Sequence, residues 1–236
     1  MMRTRSARLL PRRSSRQTTG VSPFRFDAFL RLPNRLLVCF DTLNDLVPLS
    51  TVWQILFYSW TASEILIAVL TRTRRGRGGK VSDRGSMLIL WLVIVSSITA
   101  CEWISGVNPP NMFGGAHWLR VAGLIVIVCG LAIRWTAVLS LGNAFSANVA
   151  IRESQTINTS GLYGLVRHPS YLGLLLVFLA VGLHSRHWLA FGFAVIPTTA
   201  ALLYRIHVEE EALHLAFGDE YEAYSKRTKR LIPGVL

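Results

Sequence analysis

The chain has 236 residues, 51% of them hydrophobic, with a mean hydropathy of +0.40 and a formal net charge of +12. A hydropathy at that level excludes an ordinary soluble domain and points to the membrane class. The arginines cluster beside apolar stretches rather than along a soluble face, which favours anionic lipid as the partner of this charge and argues against nucleic acid.

In chain order, residues 1–50 read as a basic N-terminal arm. Up to residue 35 it is rich in Arg, Ser and Thr, has Asp27 as its sole acid, and is interrupted by Pro11, Pro23 and Pro33. Such a stretch is solvated or surface-bound and partly disordered, and its acid-poor character also fits an organelle transit peptide. Residues 24–47 alternate apolar groups with Arg25, Arg31, Arg35, Asp41 and Asp45, the pattern of an amphipathic piece lying in the interface. From residue 51 to 236 a single transmembrane domain is expected.

Five apolar stretches, 52–70, 87–106, 119–141, 169–183 and 188–206, read as membrane spans; about 20 apolar residues cross a ~30 Å hydrocarbon core. The fold class expected is therefore all-α, a polytopic membrane protein of five transmembrane helices with short C-terminal amphipathic helices. The basic loop 71–86, the connection 142–168 and the tail fall in the cytoplasm by the positive-inside rule, which leaves the basic arm on the other side, against its own charge. In the tail, Leu213, Phe217, Tyr221 and Tyr224 recur at three- and four-residue spacing. Gly218 breaks the run, and Asp219 with Glu222 can form a capping box, so two short helices are expected after Ile206.

Cys39, Cys101 and Cys129 have neither metal-ligand spacing nor an even count, and read as small core residues. Glu64, Glu102 and Arg134 lie in or near spans, where charges either pair or line a substrate tunnel. Arg227, Lys229 and Arg230 read as lipid-facing tail charges, Asn143 and Asn148 as residues that order the connection, and the tryptophans as interfacial belts.

Polar chemistry concentrates in residues 161–173, Gly-Leu-Tyr-Gly-Leu-Val-Arg-His-Pro-Ser-Tyr-Leu-Gly, at the mouth of the fourth span. Pro169 lacks an N–H and suits the first turn of a helix, which puts His168 at or just before the helix start, beside its orphan donors. By composition this is either a loop-to-helix junction with interfacial tyrosines or a ligand site. Arg205 and Glu209 stand one helical turn apart where the fifth span leaves the membrane. Spacing alone leaves two readings: an i,i+4 ion pair, or a split site in which the acid holds a ligand ammonium and the arginine a carboxylate.

The run Ser160-Gly161-Leu162-Tyr163 followed by Val166-Arg167-His168-Pro169-Ser170-Tyr171-Leu172-Gly173 resembles the signature of the isoprenylcysteine carboxyl methyltransferase family. Residues 205–213 and 217–224, closing with Arg230-Leu231-Ile232-Pro233, resemble its C-terminal signature. The likeness is clear in the C-terminal part of the chain and weaker from Trp53 onward. It implies an integral-membrane methyltransferase that uses S-adenosyl-L-methionine, bound by Gln155, Thr156, Ile157, Asn158, Tyr163, His168, Pro169, Ser170, Tyr171 and Glu209. It further implies that Arg205 binds the substrate, an amphiphile with a lipid-like or prenylated tail and a carboxylate at the cytoplasmic mouth.

Candidate catalytic residues are Arg205, which would orient the carboxylate bidentately, and Glu210, which with His207 could take a proton from an amine acceptor. Two other enzyme classes remain open at this stage: a phospholipid N-methyltransferase, and an NADPH-dependent sterol-type membrane reductase. A non-enzymatic lipid-binding protein is the further alternative.

Overall fold

The computed structural model describes residues 48–71, 79–81, 85–142, 150–152 and 156–232, all within one compact unit, Val47–Leu236. The expectations for the N-terminal arm up to residue 47, Cys39, Asn143, Asn148 and Gln155 lie outside the described residues.

The chain is a polytopic membrane protein built of helices. In order they are α1 (Leu49–Thr71), α2 (Ser86–Val107), α3 (Trp118–Leu141), α4 (Pro169–Ser185), α5 (Trp188–Phe217) and α6 (Asp219–Arg227). Of these, α1, α2, α3 and α5 are long and apolar enough to cross a membrane, and α4 is a shorter apolar helix of 17 residues. At 1.5 Å per residue α4 extends about 26 Å, at the lower limit for a span.

Its short length goes with a central position. Helix α4 packs against α2, α3 and α5, and its Leu174, Val177, Phe178 and Val181 join Trp60, Ile127 and Leu202 in the core. The outer helices leave Ile55, Leu66, Leu92, Val95, Ile125 and Leu139 exposed on their far faces. In a bilayer that apolar surface meets lipid, so it carries no penalty.

Helices α3 and α4 cross in close contact. A Cβ on Gly173 would lie 2.7 Å from both the Arg134 N and the Gly130 O, and one on Gly130 would lie 2.9 Å from the Gly173 O. The last glycine of the 161–173 run thus lets two backbones touch, as small residues do in membrane helix pairs.

Three local features differ from the sequence reading. First, α5 continues for 30 residues through Pro197 to Phe217, so the fifth span and the first expected tail helix are one element. Neighbouring helices make such a proline tolerable in a membrane helix, and the apolar face simply carries on past Ile206. Second, Gly218 at φ +49° is both the C-cap of α5 and the N-cap of α6; Asp219 is the first helical residue, and no side-chain cap bond forms. Third, a short antiparallel ribbon pairs β1 (Gly79–Val81) with β2 (Ala150–Arg152), joining two connections that the sequence presents as loops.

Among the single residues, Cys101 is buried as expected, but Cys129 is exposed on the bundle surface, where apolar lipid suits a thiol as well as a core does. Trp118 and Trp188 are exposed at helix ends in the manner of a belt, whereas Trp60 is buried against Phe178 at a ring distance of 5.7 Å. Arg134 donates to both carboxylate oxygens of Glu64, at 2.8 and 2.7 Å, and both residues are buried. Of the two readings for these charges the structure shows pairing; Glu102 is exposed.

Candidate active site

The site is assembled where α4 begins, α5 leaves the bundle and the tail folds back. Gly161–Gly164 form a tight 3-10 turn opened by Gly161 at φ +56°, a conformation that suits glycine. The turn buries Tyr163, whose hydroxyl donates to the Ala137 carbonyl near the end of α3 at 3.2 Å. Burial first, and then the Glu209 carboxylate, push the Tyr163 pKa up, so the hydroxyl stays protonated and remains a donor. Pro169 occupies the first turn of α4, and His168 is its N-cap residue, buried, with non-helical backbone.

The tail locks this junction. The Arg167 N–H donates to the Lys229 carbonyl at 2.7 Å, and the His168 N–H to the Arg230 carbonyl at 3.0 Å. The Tyr224 hydroxyl, from α6, donates to the Tyr163 carbonyl at 2.7 Å. Arg167 Nη1 reaches the carbonyls of Ser225 and Thr228 at 2.7 and 2.5 Å. Four backbone carbonyls of the tail region therefore find donors in the 161–173 segment and its arginine, which answers the demand that buried carbonyls be paired.

Two adjacent glutamates on α5 face this junction and are treated differently. Glu210 is buried and held on three sides. Its Oε1 accepts from Arg167 Nε at 3.0 Å and lies 3.4 Å from His168 Nε2, while its Oε2 lies 2.8 Å from Arg230 Nη2. Glu209 is more open, yet its Oε2 atom is buried and has no hydrogen-bond partner among the described residues; His168 Nδ1 lies 3.8 Å away. A buried carboxylate oxygen without a donor is costly, and such an atom in a native fold calls for a ligand or a proton.

One helical turn back, Arg205 is only 2% exposed. Its Nη1 donates to Ser86 Oγ at 2.5 Å and its Nε to the Tyr171 hydroxyl at 3.3 Å. The Tyr171 hydroxyl also interacts with Glu209, so one phenol links the arginine and the glutamate. The ring of Tyr171 lies near-parallel to His168 at a centroid distance of 5.7 Å. The i,i+4 pair is thus bridged by a hydroxyl from α4 and does not close on itself as a surface ion pair.

The remaining sequence candidates spread around this centre. Ser170 is buried, and its hydroxyl and carbonyl both accept from Arg134, so it faces the membrane-side ion pair. Thr156 is exposed, and Ile157 and Asn158 are half-buried. Asn158 orders its own loop: its Oδ1 accepts from the Ser160 N–H at 3.0 Å and from the Ser160 hydroxyl at 2.8 Å, while its Nδ2 approaches the Ser140 carbonyl at 3.4 Å. His207 is exposed on α5.

Arg230, expected to face lipid, pairs instead with Glu210, because the tail doubles back over the junction. Arg167, Arg134, Ser86 and Tyr224 are the contributors that sequence reasoning did not assign to the site. Arg167 lay inside the motif and could have been read as a partner for the acidic run; Arg134 stood out only as a charge in a span and Tyr224 only as part of the tail's apolar face, and nothing local tied them or Ser86 to the site.

Part of the chain is similar to known proteins. Residues 123–215 match the model of the isoprenylcysteine carboxyl methyltransferase (ICMT) family. The chain is 32% identical over 120 residues to protein-S-isoprenylcysteine O-methyltransferase of Rattus norvegicus, covering 49% of this chain and 42% of that protein. It is also 32% identical over 121 residues to protein-S-isoprenylcysteine O-methyltransferase B of Arabidopsis thaliana, covering 50% of this chain and 61% of that one. The chain thus spans about half the length of the curated relatives it matches.

Among solved structures it is similar to the eukaryotic intramembrane Ras methyltransferase ICMT, with a TM-score of 0.51 and 27% identity over 61% of this chain and 52% of that one. The matched region takes in α4, most of α3 and nearly all of α5, with His168, Tyr171, Arg205, Glu209 and Glu210 inside it. Through this membrane-embedded core the chain is similar to the isoprenylcysteine carboxyl methyltransferase family.

Proposed function

We propose that the chain is an S-adenosylmethionine-dependent carboxyl O-methyltransferase of the membrane, acting on an amphiphile with a prenyl or similar lipid tail. The observation that carries this reading is the buried Oε2 of Glu209, which has no hydrogen-bond partner among the described residues, set beside His168 and Tyr171 and one turn from a buried arginine. That acceptor fits the ammonium of S-adenosylmethionine. The near-parallel His168 and Tyr171 rings offer faces to its adenine or cationic sulfur. The start of α4 and Tyr163 would line the cofactor side, and 156–158 would close it from the loop.

The cofactor would supply a methyl group on a cationic sulfur, already joined to a good leaving group. An acceptor carboxylate is ionised at neutral pH and needs no base: one O–C bond forms, one C–S bond breaks, and both charges are neutralised. The chain's contribution is then placement in line and exclusion of water. Arg205 is suited to orient the carboxylate, because Ser86 and Tyr171 already fix its guanidinium plane.

Glu210 is assigned to positioning. With Arg167, His168 and Arg230 around it, its lone pairs are committed to holding the junction together, which suits a brace better than a proton acceptor. The acceptor's tail would lie among the membrane helices, and the site opens at the face that the positive-inside rule makes cytoplasmic. Residues 51–236 would form this domain as one unit.

Calorimetry on the purified full chain tests the class. Binding of S-adenosylmethionine without binding of NADPH supports it, and the reverse pattern refutes it.

A further inference from the structure

The end of the bundle away from the His168–Glu209 site carries a second cluster with unmet polar capacity. It is built where α3 begins and α4 ends. Arg120 lies in the first turn of α3, His184 in the last turn of α4, and Arg186 in the turn that follows, at φ +55°. Gly123, nearly one turn after Arg120, packs on the backbone of His184; a Cβ there would sit 3.4 Å from the His184 N. Arg120 and Arg186 both act electrostatically on His184.

The three share an unusual property. Arg120 Nε, His184 Nδ1 and Arg186 Nε are each buried and have no hydrogen-bond partner among the described residues. Burying three such atoms together costs free energy unless an acceptor arrives. Burial, and second the charge of Arg120, push the Arg186 pKa down, so the two guanidinium groups act on one another. The surroundings are built to hold the cluster in place. Asn111 and Met112 N–H groups donate to the Arg186 carbonyl at 3.0 and 2.8 Å, Arg186 Nη1 donates to the Gly115 carbonyl at 2.9 Å, and Trp53 stacks flat on His184 at 3.9 Å and 5°.

Depth in the membrane identifies the source of the acceptor. Phe113, Trp118 and Trp188 form an exposed aromatic group at the same end, with Phe113 5.8 and 5.2 Å from the two indoles. Exposed tryptophans of this kind mark the headgroup level of a bilayer. Phosphate presents several strong acceptors and a charge that matches a guanidinium fork.

We propose that Arg120, His184 and Arg186 form a phosphate site, occupied by the headgroup of a phospholipid in the leaflet opposite the methyl-transfer mouth. The lipid would bridge α3, the 108–117 loop and the α4–α5 turn, and so fix the far end of α4 and the start of α5, the two helices that carry the candidate site.

The test uses the full chain in maltoside micelles, titrated with dioleoylphosphatidylglycerol, with a phosphate-free galactosyl diacylglycerol, and with sodium phosphate. Bound lipid is counted by native mass spectrometry, and thermal melting is followed in parallel. Phosphatidylglycerol should be retained and should raise the melting temperature, while the galactolipid should do neither. Arg120→Gln combined with Arg186→Gln should weaken retention about tenfold or more, since each charged hydrogen bond is worth roughly 1.5–3 kcal/mol. The double variant should still bind S-adenosylmethionine, which shows that it is folded.

Equal retention by the double variant, or equal retention of the galactolipid, overturns the site. Stabilisation by sodium phosphate with no lipid retained overturns the lipid assignment in favour of a free anion. If the double variant fails to fold, His184→Phe keeps the stack on Trp53 but removes the ring donor; unchanged phosphatidylglycerol retention in that variant also overturns the proposal.

Discussion

Gly173→Ala offers a test of the packing that underlies the site. The new methyl group would stand 2.7 Å from two backbone atoms of α3, Arg134 N and Gly130 O, and 2.9 Å from Arg134 Cα. Ordinary contact begins near 3.4 Å, so the shortfall is about 0.7 Å, and backbone atoms cannot rotate away from it. The two helices must separate, and overpacking of this kind costs typically about 1–3 kcal/mol. For a chain of this size that is a fall of several degrees in melting temperature, at roughly 2–4 °C per kcal/mol.

Gly192→Ala is the control, because its Cβ would meet only Ile196 Cδ1, at 3.9 Å. The assay is thermal melting of both variants in the same micelles. A Gly173→Ala variant that melts with wild type, or together with Gly192→Ala, would show that α3 and α4 do not approach as described. The glycine in the motif would then need another reason.

Three further outcomes are expected. Glu64→Gln should destabilise more than Glu64→Gln combined with Arg134→Gln, because the single change leaves a buried guanidinium without its charge partner, a loss of order 3–5 kcal/mol in the worst case; melting curves of the two variants, with equal Tm values counting against the pairing, decide it. Tyr224→Phe removes the donor that satisfies the buried Tyr163 carbonyl and should cost about 1–3 kcal/mol, read as a lowered melting temperature with unchanged helical circular dichroism. Glu210→Gln should loosen the tail from the junction, seen as faster amide exchange at residues 228–231, and unaltered exchange would remove Glu210 as the brace.

Much of the fold was legible because apolar length is a strong signal. The positions of α1 to α4 follow from runs such as 87–106 and 119–141, which have no other use for so many apolar residues. The end of α5 was not legible: residues 207–217 are polar on one side, and a polar amphipathic turn looks the same whether it begins a new helix or extends an old one. The β1–β2 ribbon is also invisible, since three-residue strands such as Gly79–Val81 carry no periodicity and their pairing is set by tertiary proximity.

At the site, Pro169 and the spacing of Arg205 and Glu209 placed the helix start and the shared face correctly. What the sequence could not express is which of two adjacent acids is held by the arginines. Glu209 and Glu210 are the same residue type in the same helix, and the return of Arg230 over Arg167 and His168 separates a braced carboxylate from one whose buried oxygen lacks a hydrogen-bond donor among the described residues. Glu64 and Arg134 show the same limit, because a pair separated by 70 residues has no local signature.

The central claim is that Glu209 holds the cofactor and Arg205 the acceptor carboxylate. The most direct measurement is a comparison of Glu209→Gln with Arg205→Lys, scoring S-adenosylmethionine affinity by calorimetry and single-turnover methyl transfer to a small prenylated cysteine separately. Lysine keeps the charge of Arg205 but loses its planar two-point geometry. Arg205→Lys should therefore bind the cofactor nearly as wild type does and lose turnover by about tenfold or more, the cost of a misplaced reacting group. Glu209→Gln should lose cofactor affinity first and recover turnover at saturating cofactor. Normal turnover in Arg205→Lys, or normal cofactor affinity in folded Glu209→Gln, would contradict the assignment.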